Sequence, residues 1–111
     1  MEVINHEALL ELKDVMEDDF ALLIETFLTD APERIEELKK IVSGGGVQAE
    51  MEKPAHTLKG SSSNIGAMKL SAVCAGLVDQ IRAGSVADPQ ASIAAIEAEL
   101  EVAKEVLLSY L

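Results

Sequence analysis

The chain has 111 residues, 49% hydrophobic but only 3% aromatic, and its 9 basic and 20 acidic side chains give a formal charge of −11. That length supports one domain, residues 1–111, around one core, and an aliphatic composition with three prolines points to helices rather than sheet. The acidic balance argues against nucleic acid or an anionic membrane as partner, and no run reaches the ~20 apolar residues of a membrane span.

Asn5 is placed to cap a first helix from about His6 to Met16 that carries Leu9, Leu10, Leu12, Val15 and Met16. Apolar side chains cover more than one face of it, as expected of a helix lying over a bundle or keeping some apolar surface open. His6 reads as a solvated residue in its first turn. Asp18 or Asp19 caps the next segment. There Phe20, Ile24, Phe27, Ala31, Ile35, Leu38 and Val42 hold one register straight through Pro32. A break would reset the phase, so the spacing predicts one helix over residues 19–43, bent near Leu28 where the proline removes a bond. It ends at Ser43-Gly44-Gly45-Gly46, a loop.

Pro54 either marks the first turn of the third helix or kinks a longer one. The favoured reading is a helix from about Val47 bent at Pro54, with a turn at Asn64-Ile65-Gly66. A fourth helix runs from about Met68 to Ala83 with Leu70, Val73, Cys74, Leu77 and Ile81 inward. Gly84 to Ala87 connects it to Asp88-Pro89, a cap followed by proline at the first helical position. The last helix repeats Ile93, Ile96, Leu100, Ala103, Leu107 and Tyr110 at three- and four-residue steps. Long amphipathic helices on short connections pack as antiparallel neighbours. The expected fold is therefore all-α: an antiparallel up-down-up-down four-helix bundle with a short additional N-terminal helix.

The third helix carries the chemistry. With the apolar line through Met51, Ala55, Leu58, Ser62 and Ile65 as origin, His56 lies about 140° away, Gly60 about 180°, Ser63 about 120° and Lys59 about 80°. The imidazole therefore points into water, with Lys59 at i+3 and the bare Gly60 at i+4. Glycine inside a helix costs about 1 kcal/mol relative to alanine. Clearing space for a macromolecule to reach the imidazole would compensate. A neutral imidazole is also a good nucleophile toward phosphorus, and one nearby cation suffices to balance phosphoryl charge.

The run His56-Thr57-Leu58-Lys59-Gly60-Ser61-Ser62-Ser63-Asn64-Ile65-Gly66-Ala67 closely resembles the signature of histidine-containing phosphotransfer (HPt) domains of two-component phosphorelays, and the helix layout extends the likeness over the whole chain. The family's fold is similar to the bundle read from periodicity. The resemblance implies that His56 is phosphorylated, through the ring nitrogen farther from the backbone, that Lys59 balances the phosphoryl charge and that Gly60 admits the partner's active site. Ser63 shares the His56 face and is a further candidate for touching the phosphoryl. Many relatives place a glutamine on the facing helix twenty-two residues after the histidine, where it hydrogen-bonds the ring. Here that position is Val78, with Gln80 nearby, so either the ring is oriented otherwise or Gln80 reaches in. Leu12, Val15 and Met16 are candidates for a partner-docking patch, as in relatives where a receiver helix packs near the histidine.

The function so implied is a phosphoryl carrier without kinase activity, taking the group from a receiver-domain aspartate and passing it to another receiver. Its partners would be response-regulator receiver domains and a hybrid sensor histidine kinase. No cofactor or metal is expected on this chain; Mg²⁺ would sit on the partner receiver. No glycine-rich nucleotide loop is present. Among other classes, an acyl carrier needs an Asp-Ser pair that the chain lacks. A bundle metal site would have only His6, His56 and Cys74 as soft ligands. The alternative is a non-phosphorylated helical adaptor that binds receivers, against which the intact His-Lys-Gly set argues. The expected state is a monomer, since the histidine must stay uncovered. The lone Cys74 on an apolar stripe suits a reducing compartment, and with no basic-then-apolar leader at the N-terminus the cytoplasm is expected. A start at Met1 and an end just past the last helix favour a free-standing protein over the tail of a kinase.

Overall fold

The structure, a computed structural model, describes residues 2–111. Five α-helices follow in order: α1 (His6–Met16), α2 (Asp19–Ser43), α3 (Glu52–Asn64), α4 (Met68–Arg82) and α5 (Pro89–Leu108), with a short 3₁₀ turn (Gln48–Met51) leading into α3. Helices α2 to α5 form a ring in which α3 packs on α2 and α4, and α5 packs on α2 and α4. The connections between them are short, so successive helices run in opposite directions and the ring is an up-down-up-down bundle. The molecule is elongated, 43 × 24 × 19 Å.

Each helix turns one apolar line inward, as burial of a stripe at 3.6-residue period requires. On α2 the buried residues are Phe20, Ile24, Phe27, Ala31, Ile35 and Leu38, and the helix continues unbroken through the exposed Pro32. On α5 they are Ile93, Ile96, Leu100, Ala103 and Leu107. Cys74 is fully buried in α4, and burial pushes its thiol up to about 12, because the thiolate would lose its hydration.

The helix ends explain themselves locally, with two departures from expectation. The Asn5 side chain accepts from the Ala8 N–H at 3.1 Å, and Asp88 accepts from the Ala91 N–H at 3.1 Å, so both caps satisfy donors the helix cannot. Asp18 stands at the N-cap of α2 without making a side-chain cap bond, because its backbone is already helical (φ −65°, ψ −25°) and Asp19 is inside the helix. The turn before it is closed instead by Glu17, whose φ of 50° is unusual for a residue other than glycine, asparagine or aspartate. Nor does α3 extend from Val47 with a bend at Pro54. The lead-in is 3₁₀, and Pro54 is the third residue of the α-helix proper, where its missing N–H removes no intrahelical bond.

Helix α1 closes one end of the bundle. It begins beside the α3–α4 turn, where the Asn5 N–H donates to the Gly66 carbonyl at 2.8 Å. Gly66 has a φ of +79°, and an added Cβ would stand 3.4 Å from the Asn5 carbonyl, so both conformation and crowding select glycine. Farther along, the Lys13 ammonium donates to the Tyr110 carbonyl at 3.3 Å, and the His6 ring hydrogen-bonds the Tyr110 hydroxyl. His6 is exposed in the first turn of α1, as expected, with its ring beside the Tyr110 hydroxyl, and Tyr110 lies past the end of α5 rather than within it. At the opposite end, the Gln48 amide donates to the Val86 carbonyl (3.1 Å) and accepts from its N–H (3.3 Å), stapling the α2–α3 and α4–α5 connections together.

Candidate functional site on the outer face of helix three

Helix α3 buries Pro54, Ala55, Leu58 and Ser62 between α2 and α4, and Ile65 just beyond its end. That fixes its rotation. Lys53, His56, Gly60 and Ser63 are consequently exposed and Lys59 half-buried, so the structure brings four of the predicted site residues, His56, Lys59, Gly60 and Ser63, to one face of one helix. A Cβ added to Gly60 meets nothing within 4 Å. Nothing inside the molecule therefore requires glycine there, and its advantage lies with what approaches from outside.

The α3 backbone beside this face is anchored from α4. The Ser71 hydroxyl donates to the Lys59 carbonyl at 3.1 Å, and the Arg82 guanidinium meets the Glu52 carboxylate at 2.6 Å. Those two contacts also identify which flank of α4 faces α3. Val78 lies seven residues from Ser71, within about 20° of the same line, and is buried. It occupies the position of the usual glutamine but offers only a methyl-bearing wall. Gln80 lies about 160° around the helix from Arg82 and is exposed. It does not reach toward His56, and the expectation that it might orient the ring is corrected: two residues of displacement on a helix carry a side chain to the opposite flank.

On the other flank, a groove of about 230 Å³ runs between α2 and α3, lined by Leu23, Thr26, Phe27, Asp30, Ser61, Asn64 and Ile65. The residues read as a docking patch are divided by the structure. Leu12 and Met16 are half-buried against the core, whereas Val15 is 82% exposed. All three ride on α1, whose start is held beside Gly66, ten residues beyond His56 and so about 15 Å along the direction of α3. Among the described residues no group of three His, Cys, Asp or Glu side chains is placed to hold a metal ion, and no helix is long and apolar enough to cross a membrane.

Lys53, which the sequence reading did not single out, also lies exposed on α3. It stands one turn before His56, on the flank opposite Lys59. The available signal was a cation in the first turn of a helix, against the helix dipole.

Comparison with known proteins agrees with this geometry. The family model described as the Hpt domain matches residues 22–106, a span that holds all of α3 and α4 and most of α2 and α5. Comparison with curated protein sequences gives no match. Among solved structures, histidine-containing phosphotransfer protein B (HptB) from Pseudomonas aeruginosa PAO1 is 30% identical, with a TM-score of 0.90 over 97% of this chain and 93% of its own. A candidate histidine-containing phosphotransfer protein from rice superposes with a TM-score of 0.84 over 96% of this chain and 79% of its own, but at 18% identity that likeness speaks to the fold alone. With the bundle, the exposed histidine helix and the family match in agreement, this chain belongs to the Hpt domain family.

Proposed function

We propose that the phosphotransfer role of this Hpt domain in a phosphorelay runs through His56. The observation that carries the reading is an exposed imidazole on the outer face of α3 beside a glycine with open space above it. The lone pair of Nε2, the ring nitrogen farther from the backbone, forms the new N–P bond while the O–P bond of a receiver's aspartyl phosphate breaks. The electron pair leaves with the aspartate carboxylate. Return transfer to a second receiver runs the same exchange in reverse. The loose character of such transition states leaves little for this chain to do beyond access and charge balance, which Gly60 and Lys59 supply, with Ser63 on the same face about two turns along. A divalent cation, where needed, belongs to the receiver's side of the complex.

On this reading the partners are receiver domains, one of them carried by a hybrid sensor kinase. The protein works as a monomer in the cytoplasm and has no kinase activity of its own. Incubation with radiolabelled ATP alone should leave it unlabelled. A phosphorylated receiver should label it at an acid-labile, base-stable site, and His56→Gln should abolish the label. Label persisting in His56→Gln would overturn the assignment. Receiver binding with no phosphoryl moving in the wild type would instead favour an adaptor.

A further inference from the structure

Four of the nine cationic side chains are committed to carboxylates in this structure. Arg34 meets Asp30, Glu33 and Glu37 at 3.6, 3.5 and 3.0 Å. Lys39 meets Glu36 and Glu97, Lys69 meets Glu99, and Arg82 meets Glu52. Lys53 and Lys59 enter no such pair among the described residues. They bracket His56 at i−3 and i+3, about 60° to either side of the imidazole around the helix.

Lys53 is also placed at a local disadvantage. It lies near the N-terminal end of the helical run from Gln48 to Asn64, the end at which the dipole favours a carboxylate over a cation. No hydrogen bond of its own compensates among the described residues, and the residue is exposed. It fills no core space. Like Gly60, it is a choice that the isolated fold does not reward.

The long-range field supplies a reason for it. The chain carries −11 overall, and a partner that holds a divalent cation and a phosphoryl group does so with a cluster of carboxylates. Two acidic proteins repel at a distance, and association between them depends on local complementary charge at the point of contact. Arg34 pairs with three carboxylates of the neighbouring α2, and Arg82 pairs with Glu52, the acidic residue that opens α3. The uncommitted charge immediately beside the imidazole on α3 is therefore positive.

We propose that Lys53 is a docking determinant of the transfer reaction: together with Lys59 it clasps the carboxylate-rich rim of the receiver's phosphorylation site from the two sides of His56. This inference rests on the function proposed above. Lys59 acts where the phosphoryl passes, whereas Lys53 acts on the approach. Its contribution is to the rate of association and leaves the bound-state transfer step unchanged.

The test is rapid-quench transfer from a phosphorylated receiver over a series of receiver and salt concentrations. Wild type is compared with Lys53→Gln, Lys53→Glu and Lys104→Gln, the last removing an exposed cation on α5 as a control for net charge. At low salt the second-order rate constant should fall about tenfold in Lys53→Gln and further in Lys53→Glu. The gap should close as salt rises, with the saturating rate unchanged and Lys104→Gln within about twofold of wild type. Lys53→Gln should keep the thermal midpoint of wild type, because Lys53 is exposed and makes no side-chain bond among the described residues. Slower transfer from an equally stable protein is an outcome that a structural role cannot produce. Equal losses in Lys53→Gln and Lys104→Gln, a loss confined to the saturating rate, or no loss at low salt would each overturn the proposal. Absence of label on wild-type His56 overturns the function itself, and the role of Lys53 with it.

Discussion

Helix α5 runs for 20 residues from Asp88, whose carboxylate accepts from the Ala91 N–H, with Pro89 at its first position and an interior free of glycine. Helix α3 runs for 13 residues from a 3₁₀ lead-in with no side-chain cap, and carries a cation in its first turn, a mid-helix glycine and three consecutive serines. Both turn one line of residues into the core. Their outer faces differ: on α5 the sequence follows what stabilises a helix, and on α3 it departs from it repeatedly around His56. Departures from local stability that cluster on one exposed face mark the surface selected for something other than folding.

The largest expected effect separates the two helices outright. Leu107→Ala empties a fully buried site on α5 and should cost about 2–5 kcal/mol in denaturant unfolding. Transfer per folded molecule should hold. His56→Gln should do the reverse, keeping the unfolding midpoint while losing transfer. If both variants lost both properties, the division between a folding helix and a working helix would be wrong.

The pH dependence of stability tests the shared core. The Cys74 thiol is held near 12 in the folded protein against an ordinary 9.0, so the proton is bound more tightly folded than unfolded. That contribution is fully present below pH 9 and is lost as pH rises from 9 toward 12, because the unfolded chain ionises first. Unfolding free energy should therefore fall more steeply above pH 9 in wild type than in Cys74→Ala, and parallel curves would count against a buried thiol.

A finer comparison uses two glycines. Gly60 in α3 and Gly76 in α4 are both exposed helical positions where an added Cβ meets nothing within 4 Å. Alanine at either should stabilise by about 1 kcal/mol. Only Gly60→Ala should also slow transfer, by roughly tenfold, since small misplacements at a reacting centre are costly. Equal transfer rates in the two variants would remove the case that Gly60 clears space for a partner. Smallest of all, Asp88→Ala should cost about 1 kcal/mol or less through the lost cap and leave transfer unchanged.

Much of this was legible from residues alone. The register of α2 continued across Pro32 because only a break in the helix would have shifted its apolar phase, and the rotation of α3 followed from five small and aliphatic positions. What was not legible depended on relations between elements. Gln80 could be set aside only after Ser71 and Arg82 showed which flank of α4 meets α3. The Gln48 staple to Val86 and the His6 contact with Tyr110 join residues 38 and 104 positions apart, with no local pattern to announce them. Asp18 failed as a cap because a two-residue turn through Glu17 had already brought its backbone into the helix.

The tie between α1 and Tyr110 has a practical corollary. Asn5 sits against Gly66 and Lys13 against the Tyr110 carbonyl, so the beginning and the end of the described chain emerge together at one pole of the bundle. His56 lies some three turns of helix away, on the flank. A reporter, an affinity tag or a neighbouring domain grafted onto either terminus would hang from that pole like a handle, leaving the histidine as open to visitors as before.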